Sequence, residues 1–150
     1  MSAPALVLDA SVTMAWAFKE EKTIYTSQVL KSLDAGKAYV PSIWSLEVCN
    51  TLLVAERHGR LSQADSLQFL SFLWQLPIET EIMPSDRLVG ESFVILALAR
   101  MHQLSVYDAS YLHLAMQLGC PLATMDNALH KAALDAGVPL FGESGVRNEN

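Results

Sequence analysis

The chain has 150 residues, which is enough for one compact domain with a substantial apolar core. Hydrophobic residues make up 51% of the sequence and charged residues 17%, and this balance excludes an intrinsically disordered protein. The formal net charge of −6 argues superficially against a nucleic-acid partner, but acids gathered in one pocket can recruit a cation that reverses the local sign.

The sequence predicts a single domain over residues 1–150, because no linker, repeat or low-complexity tract divides it. Its apolar runs are too short to span a bilayer, and the first residues show no basic segment followed by a long apolar stretch. Cys49 and Cys120 lie in apolar segments without CxxC spacing, which favours reduced core thiols. We therefore expect a cytoplasmic protein that has no membrane partner.

Strands and helices alternate through the first half of the chain. The run "ALVLD" at 5–9 is apolar and ends in an acid, which is typical of a strand buried on both faces. Helical spacing of apolar residues, with Ser42 and Ser62 as N-caps, predicts helices that end near Gly36, Gly59 and Pro77. The elements predicted after the first strand are helix 22–36, strand 38–41, helix 42–59 and helix 61–76.

The second half continues the alternation with strand 78–82, helices 85–104 and 105–119, strand 121–126, helix 127–137 and strand 138–141. Strands separated by helices require crossover connections, which make neighbouring strands parallel and place helices on both faces of the sheet. The predicted fold is a three-layer α/β/α sandwich with a central, mostly parallel sheet. The apolar strands 5–9 and 121–126 are expected at its centre.

Four acids are the candidate functional residues. Asp9 and Asp126 each end a predicted strand, and ligands of open α/β sheets bind beyond the carboxyl ends of strands. Glu47 and Asp108 lie in apolar helices with no basic partner beside them in sequence, and such acids are rarely buried unpaired. Each also has an ordinary structural interpretation: Asp9 as a strand end, and Asp126 or Asp108 as a group that caps or favours a helix N-terminus.

If the four acids meet, they repel each other by ~4 kcal/mol for each pair of charges ~4 Å apart at an effective dielectric of ~20. Such a cluster requires protons or a cation. Oxygen ligands suit hard divalent ions, and Mg²⁺ typically takes one or two carboxylates plus waters and substrate phosphates, while Mn²⁺ accepts the same ligands. The four dispersed histidines have no metal-ligand spacing, so a zinc site is not expected.

The segments that carry these acids resemble PIN domains, and among them the VapC group, the ribonuclease toxins of bacterial and archaeal toxin–antitoxin pairs. The resemblance covers nearly the whole chain in order, and its most specific segment is "SVYDASYLHLAMQLGCPLATMD". The matching segments are "LDAS" with Asp9, "EVCN" with Glu47, "YDASYLHLA" with Asp108 and "LATMD" with Asp126.

The resemblance implies a Mg²⁺- or Mn²⁺-dependent endoribonuclease in which Asp9, Glu47, Asp108 and Asp126 hold the ion directly or through water. It also implies a homodimer, and an antitoxin that places a segment in or near the acidic groove. Three polar residues fit a supporting role. Ser11 and Thr124 would hydrogen-bond a metal-bound water or a phosphate oxygen, and Asn50 would orient Glu47; ordinary structural hydrogen bonding is the alternative for all three.

Several alternatives stay open at this stage. A haloacid-dehalogenase-type phosphatase has Asp-x-Asp after its first strand, but Ser11 stands where the second acid belongs. A receiver domain needs adjacent acids there, which are also missing. Within the PIN family, a nuclease of RNA processing, a structure-selective DNA nuclease and a non-catalytic binding module remain possible.

The RNA-binding and partner surfaces are less defined by the sequence. Scattered cations could form a groove only through folding and dimerisation, and Trp44 and Trp74 occupy apolar helical stripes typical of core or interface. The segments "LQFLSFLWQL" and "FVILALARMHQL" carry more apolar surface than one sheet requires. This excess suits a homodimer seam or an antitoxin groove, and a fully buried core helix is the alternative.

Overall fold

A computed structural model describes residues 4–82 and 86–142 of the chain. Its sheet has four strands in the order β3-β2-β1-β4, and every neighbouring pair is parallel. The strands are β1 (Ala5–Leu8), β2 (Lys37–Pro41), β3 (Ile78–Glu81) and β4 (Leu122–Ala123). The parallel sheet agrees with the prediction, because each strand is followed by a helical connection before the next strand.

Within the described ranges seven α-helices accompany the sheet. They are α1 (Ala10–Ala15), α2 (Ile24–Ser32), α3 (Ile43–Arg57), α4 (Gln63–Trp74), α5 (Leu88–His102), α6 (Val106–Leu118) and α7 (Asn127–Ala136). A short 3₁₀ helix at Lys19–Glu21 joins α1 to α2. None of the described helices is long and apolar enough to cross a membrane.

The side chains of β1 alternate between two cores, which explains its uninterrupted apolar run. Leu6 and Leu8 pack against the layer formed by α1 to α4, while Val7 faces the layer formed by α5 to α7. All three are at most 3% exposed. The predicted three-layer α/β/α sandwich is confirmed, and β1 occupies an interior position in the sheet.

The other predicted central strand is shorter than expected, and it pairs with β1 on one side and hydrogen-bonds to residues 139–141 on the other. Of segment 121–126 only β4 pairs as a strand, at the end of the four-strand order, because the amides of Met125 and Asp126 bond side-chain hydroxyls. Predicted strand 138–141 is reduced to one parallel bridge between Leu122 and Leu140. Helix α1 and the 3₁₀ helix have no counterpart in the sequence prediction.

Helix α5 begins later than predicted and is not a buried core helix. The predicted segment 85–104 contains Ser85, which lies outside the described residues, and a turn at 86–87 before Leu88. Exposed apolar side chains mark the outer face of α5, among them Leu88, Val89, Phe93, Val94, Leu96 and Met101.

The prediction of core thiols is wrong for Cys49, which is exposed, although both cysteines are unpaired.

Candidate active site

The four predicted acids line one cavity of about 620 Å³ next to the carboxyl ends of β1 and β4. Strand β1 delivers Asp9, and the segment after β4 delivers Asp126. Helix α3 supplies Glu47 from its second turn, and α6 supplies Asp108 from its first turn. The remaining lining residues are Ala10, Ser11, Met14, Ala15, Glu21, Thr51 and Met125.

Asp9 is the most deeply buried of the four acids, at 4% exposure. Its Oδ2 atom accepts hydrogen bonds from Ser11 Oγ at 2.6 Å and from Thr124 Oγ1 at 2.7 Å. Burial raises the pKa of Asp9 and the charge of Glu47 raises it further, while the two hydroxyl bonds act in the opposite direction. Burial therefore disfavours the charged form of this carboxylate, and the two hydroxyl bonds offset only part of that cost.

Ser11 and Thr124 are in the site, but their hydroxyl protons are engaged by Asp9. The sequence suggested that these hydroxyls would hydrogen-bond a metal-bound water or a phosphate oxygen. Each hydroxyl has one proton to donate, and both donate it to the Asp9 carboxylate. The same oxygens accept backbone bonds, Ser11 Oγ from the amide of Met125 at 2.9 Å and Thr124 Oγ1 from that of Asp126 at 3.0 Å. They thus tie the end of β1 to the segment after β4.

Glu47 is oriented by a residue other than the predicted one. Its Oε1 atom accepts a 2.7 Å hydrogen bond from the hydroxyl of Tyr111, which lies on α6. The side chain of Asn50 is exposed and makes no hydrogen bond within the described residues, so it does not orient Glu47 in this structure. Burial raises the pKa of Glu47, the Tyr111 bond lowers it, and the charge of Asp108 raises it again.

Asp108 follows the N-cap of α6, where the hydroxyl of Ser105 accepts the Asp108 amide at 3.0 Å. Burial is the main reason why the pKa of Asp108 is raised, and the charges of Asp9 and Asp126 add to it. Asp126 caps α7, since its Oδ1 atom accepts the amide of Leu129 at 2.8 Å. The capping interpretation of Asp126 is correct, and it is compatible with a place in the cavity because the cap engages one oxygen.

The cavity is a concentration of uncompensated negative charge. Within the described residues none of the four acids forms an ion pair. Glu21, a fifth acid on the same cavity, is paired with Arg60 at 3.5 Å. No three His, Cys, Asp or Glu side chains of these residues stand close enough together to enclose a metal ion as they are placed. The donor set nevertheless fits Mg²⁺ or Mn²⁺, which need only one or two carboxylates and complete their shell with water.

Sequence reasoning missed Glu21, Thr51 and Tyr111. Thr51 lies one turn after Glu47 on α3, and its hydroxyl donates to the Glu47 carbonyl at 2.9 Å. Tyr111 lies three residues after Asp108, which places both on one side of α6, and this spacing was the available signal. Nothing in the sequence places Glu21 there, because the 3₁₀ helix that carries it was not predicted.

Comparison with known proteins identifies the class. The family model described as "PIN domain" matches residues 6–134, so the chain belongs to the PIN-domain family. Among characterised relatives it is 29% identical over 124 residues to Ribonuclease VapC3 of Pyrobaculum aerophilum, covering 83% of this chain and 91% of that one. The predicted PIN, VapC-like affiliation is therefore confirmed, and it excludes the phosphatase and receiver interpretations.

Solved structures support the fold. The crystal structure of PAE2754 from Pyrobaculum aerophilum has a TM-score of 0.64 and 23% identity, and the match covers 86% of this chain and 84% of that one. The crystal structure of FitAcB from Neisseria gonorrhoeae has a TM-score of 0.60 and 18% identity, with coverage of 91% and 96%. At these identities the likeness concerns the architecture alone.

Proposed function

We propose that this chain is a divalent-metal-dependent endoribonuclease of the VapC type, acting in the cytoplasm as the toxin of a toxin–antitoxin pair. The observation that carries the proposal is that four carboxylates from four separate segments line one cavity, and that none of them has an ion-pair partner among the described residues. Similarity to Ribonuclease VapC3 supports RNA as the substrate.

Asp9, Glu47, Asp108 and Asp126 would hold the ion directly or through water. A bound divalent ion would lower the pKa of a water molecule and neutralise charge that develops on the phosphoryl oxygens. Glu47 uses one oxygen for Tyr111 and Asp126 one for its cap, so each keeps the other for this purpose. Ser11 and Thr124 would act by fixing Asp9.

The proposed reaction is hydrolysis of a phosphodiester. The oxygen of a water molecule forms a bond to phosphorus opposite the 3′-oxygen, and the bond from phosphorus to that 3′-oxygen breaks. A carboxylate of the cluster takes a proton from the attacking water, and the departing 3′-oxygen takes a proton from solvent. The products are a 5′-phosphate and a 3′-hydroxyl, which end-labelling of the cleaved RNA can identify.

The test measures cleavage of an end-labelled single-stranded RNA by the purified protein with Mg²⁺ or Mn²⁺, before and after chelation with EDTA. Removing a group that stabilises transition-state charge typically costs ~10²–10³ in rate, so Asp9→Asn and Asp108→Asn should each lower cleavage at least about 100-fold. Asp135→Asn is the matched control, because Asp135 is an exposed acid on α7. Cleavage that survives EDTA, or that neither site variant affects, contradicts the proposal.

The substrate class is tested in the same assay. We expect single-stranded RNA or an RNA loop to be cut and duplex DNA to resist, since none of the described residues that line the cavity is a lysine or arginine that could track a duplex backbone. Preferred cleavage of structured precursor RNA would favour a role in RNA processing. Preferred cleavage of branched DNA would favour a DNA nuclease.

A second cavity, of about 710 Å³, offers an antitoxin a route to the acids. It lies between the 3₁₀ helix, α2 and α4, and it is lined by Phe69, Phe72 and Arg60 among others. Glu20 belongs to this cavity and the next residue, Glu21, to the acidic one, so a segment bound here can reach the carboxylates across one turn. A basic side chain would complement the acids there.

This proposal is tested by co-expressing the chain with the product of a small reading frame directly upstream of its gene. Phe72 is 38% exposed on the rim of the second cavity, so Phe72→Asp should weaken complex formation and restore cleavage. Leu134→Asp, on the exposed side of α7, is the control and should leave the complex intact. A complex unaffected by Phe72→Asp would place the antitoxin elsewhere.

The exposed stripe of α5 is the proposed homodimer seam. Val89, Phe93 and Leu96 are spaced four and three residues apart and are 71%, 74% and 42% exposed. The one acid of α5, Glu91, is hydrogen-bonded to His113 of α6. Two copies of this acidic chain can therefore bring their stripes together with little repulsion between like charges, and a two-fold axis would make the contact self-complementary.

A further inference from the structure

Among the described residues Tyr111 has the largest side chain that is fully buried. It lies in the middle of α6, and its hydroxyl crosses to α3, where it donates a 2.7 Å hydrogen bond to Glu47 Oε1. The two residues are 64 positions apart in the chain. The bond therefore exists only because the fold brings two helices together at the cavity.

Packing explains the ring of Tyr111 but not its hydroxyl. A phenylalanine would fill the same apolar surroundings, whereas a buried hydroxyl needs a partner, and here the partner is a carboxylate of the acidic cavity. Burial raises the pKa of Tyr111, and the hydrogen bond and the charges of Glu47 and Asp9 raise it further. The hydroxyl therefore keeps its proton and stays a donor at neutral pH.

The backbone of α3 near Glu47 is held by a separate set of hydrogen bonds. Trp44, one turn earlier on α3, donates from its indole nitrogen to Thr13 Oγ1 at 3.0 Å. Thr13 is fully buried on α1 and donates in turn to the Asp9 carbonyl at 3.3 Å. This chain of bonds locks the turn that carries Glu47, but it leaves the carboxylate free to rotate about its side-chain bonds.

Within the described residues, the Tyr111 bond is the one hydrogen bond that the Glu47 carboxylate makes. We propose that Tyr111 is a positioning residue of the active site, which holds Oε1 of Glu47 and thereby presents the other oxygen to the divalent ion or to its water. The proposal rests on the proposed function and assigns to Tyr111 the role that the sequence suggested for Asn50. A hydrogen-bonded outer partner of a metal ligand typically contributes 10–100-fold to metal affinity or activity.

The variant Tyr111→Phe removes the hydroxyl and keeps the ring. The matched control is Tyr107→Phe, which makes the same change four residues earlier on α6, at a tyrosine that is 56% exposed. In Tyr111→Phe we expect kcat for RNA cleavage to fall about 10–100-fold with KM changed less than about threefold, because RNA contacts remain while a ligand is misplaced. Tyr107→Phe should leave kcat within twofold of the wild type.

Two measurements on the RNA-free protein separate positioning from general loosening. Mn²⁺ binding followed by electron paramagnetic resonance should weaken at least about tenfold in Tyr111→Phe and not in Tyr107→Phe. The carboxyl ¹³C resonance of Glu47 should shift in Tyr111→Phe even without metal. Thermal unfolding is recorded for each variant, so that a loss of folded protein is not mistaken for a loss of position.

A double-mutant cycle tests whether Tyr111 acts through Glu47. If it does, adding Tyr111→Phe to Glu47→Gln should lower kcat less than about twofold beyond Glu47→Gln alone, whereas independent roles would multiply. Unchanged kcat and Mn²⁺ affinity in Tyr111→Phe, or multiplicative losses, would overturn the proposal. Failure of the wild type to bind Mn²⁺ and to cleave RNA would overturn the proposed function as well, and that outcome is recognised without any variant.

Discussion

At the scale of single residues, the site depends on how buried carboxylates keep their charge. Asp9 has lost nearly all contact with solvent, and the hydroxyls of Ser11 and Thr124 replace part of its hydration. Thr124 does more than donate, because its oxygen also accepts the Asp126 amide. One hydroxyl therefore influences two of the four acids.

The first prediction concerns this hydroxyl. Thr124→Val keeps the shape of the side chain but leaves Asp9 with one hydroxyl donor and the Asp126 amide without its acceptor. We expect RNA cleavage to fall at least about tenfold and the free energy of unfolding to fall by about 1–3 kcal/mol, the cost of an unsatisfied buried group. Thr80→Val, on the exposed strand β3, is the control. Equal cleavage by both variants would show that the Thr124 hydroxyl is dispensable.

The second prediction concerns the cost of the acidic cavity to stability. The pKa of Asp108 is raised above its ordinary value of 3.8, so its charged form is less favourable in the folded than in the unfolded chain. Its penalty is absent at a pH below 3.8 and grows to its full value as the pH rises through the folded-state pKa. Asp108→Asn should therefore raise the Tm of the metal-free protein at pH 7, by about 1–3 °C.

Calorimetry in EDTA measures this shift, with Asp135→Asn as the exposed control. The gain in Tm should shrink as the pH is lowered through the folded-state pKa of Asp108 and vanish well below 3.8, where Asp108 is neutral in both states. Asp108 lies in the first turn of α6, where the helix dipole favours a negative charge. A fall in Tm at pH 7 would mean that this dipole outweighs burial and the neighbouring acids.

At the scale of elements, long apolar-periodic helices and the first strand could be predicted because their signals are local. Helix α1 could not, since it has six residues, follows Asp9 without a side-chain cap bond, and contains Ser, Val and Thr, which are weak helix formers. The early end of β4 could not be predicted either. The amides that would continue this strand bond Ser11 and Thr124, and that exchange depends on Asp9 being nearby.

The third prediction contrasts two glycines in different elements. A Cβ atom on Gly36, at the entry to β2, would lie 2.3 Å from the Pro4 carbonyl oxygen, whereas one on Gly90, inside α5, would meet nothing within 4 Å. Gly36→Ala should therefore destabilise the fold by about 1–3 kcal/mol, as overpacking does, and Gly90→Ala should stabilise it by about 0.5–1 kcal/mol. Urea unfolding measures both. A neutral Gly36→Ala would mean that the start of β2 can move away from Pro4.

At the scale of the whole molecule, parallel topology accounts for what the sequence revealed of the site. Asp9 and Asp126 could be placed at one edge because the ends of parallel strands meet there. Glu47 and Asp108 were candidates because they lie in apolar helices with no basic partner beside them in sequence. Hydrogen bonds between side chains of two different helices could not be predicted from the sequence. Asn50 was chosen by its nearness in sequence to Glu47, but the bond to Tyr111 depends on the packing of α6 against α3.

The last prediction concerns assembly. The fold buries the inner side of α5, where Leu98 and Ala99 join the core, and leaves the stripe around Phe93 in water. Burying a large apolar side chain stabilises a complex by about 1.5–3 kcal/mol. The same stripe on a second copy of the chain can bury it through a two-fold contact. Light scattering at micromolar concentration should therefore give the mass of two chains for the wild type and of one chain for Phe93→Asp, with unchanged circular dichroism.

Trp74→Asp is the control for this experiment, because Trp74 is 90% exposed at the end of α4, on the opposite layer of the sandwich. It should stay dimeric if the seam is on α5, since it removes a comparable apolar surface from a different face. A dimer that survives Phe93→Asp and dissociates in Trp74→Asp would move the seam to α4. Because α4 also contributes Phe69 and Phe72 to the second cavity, a copy of the chain and an antitoxin would then compete for neighbouring surface on this helix.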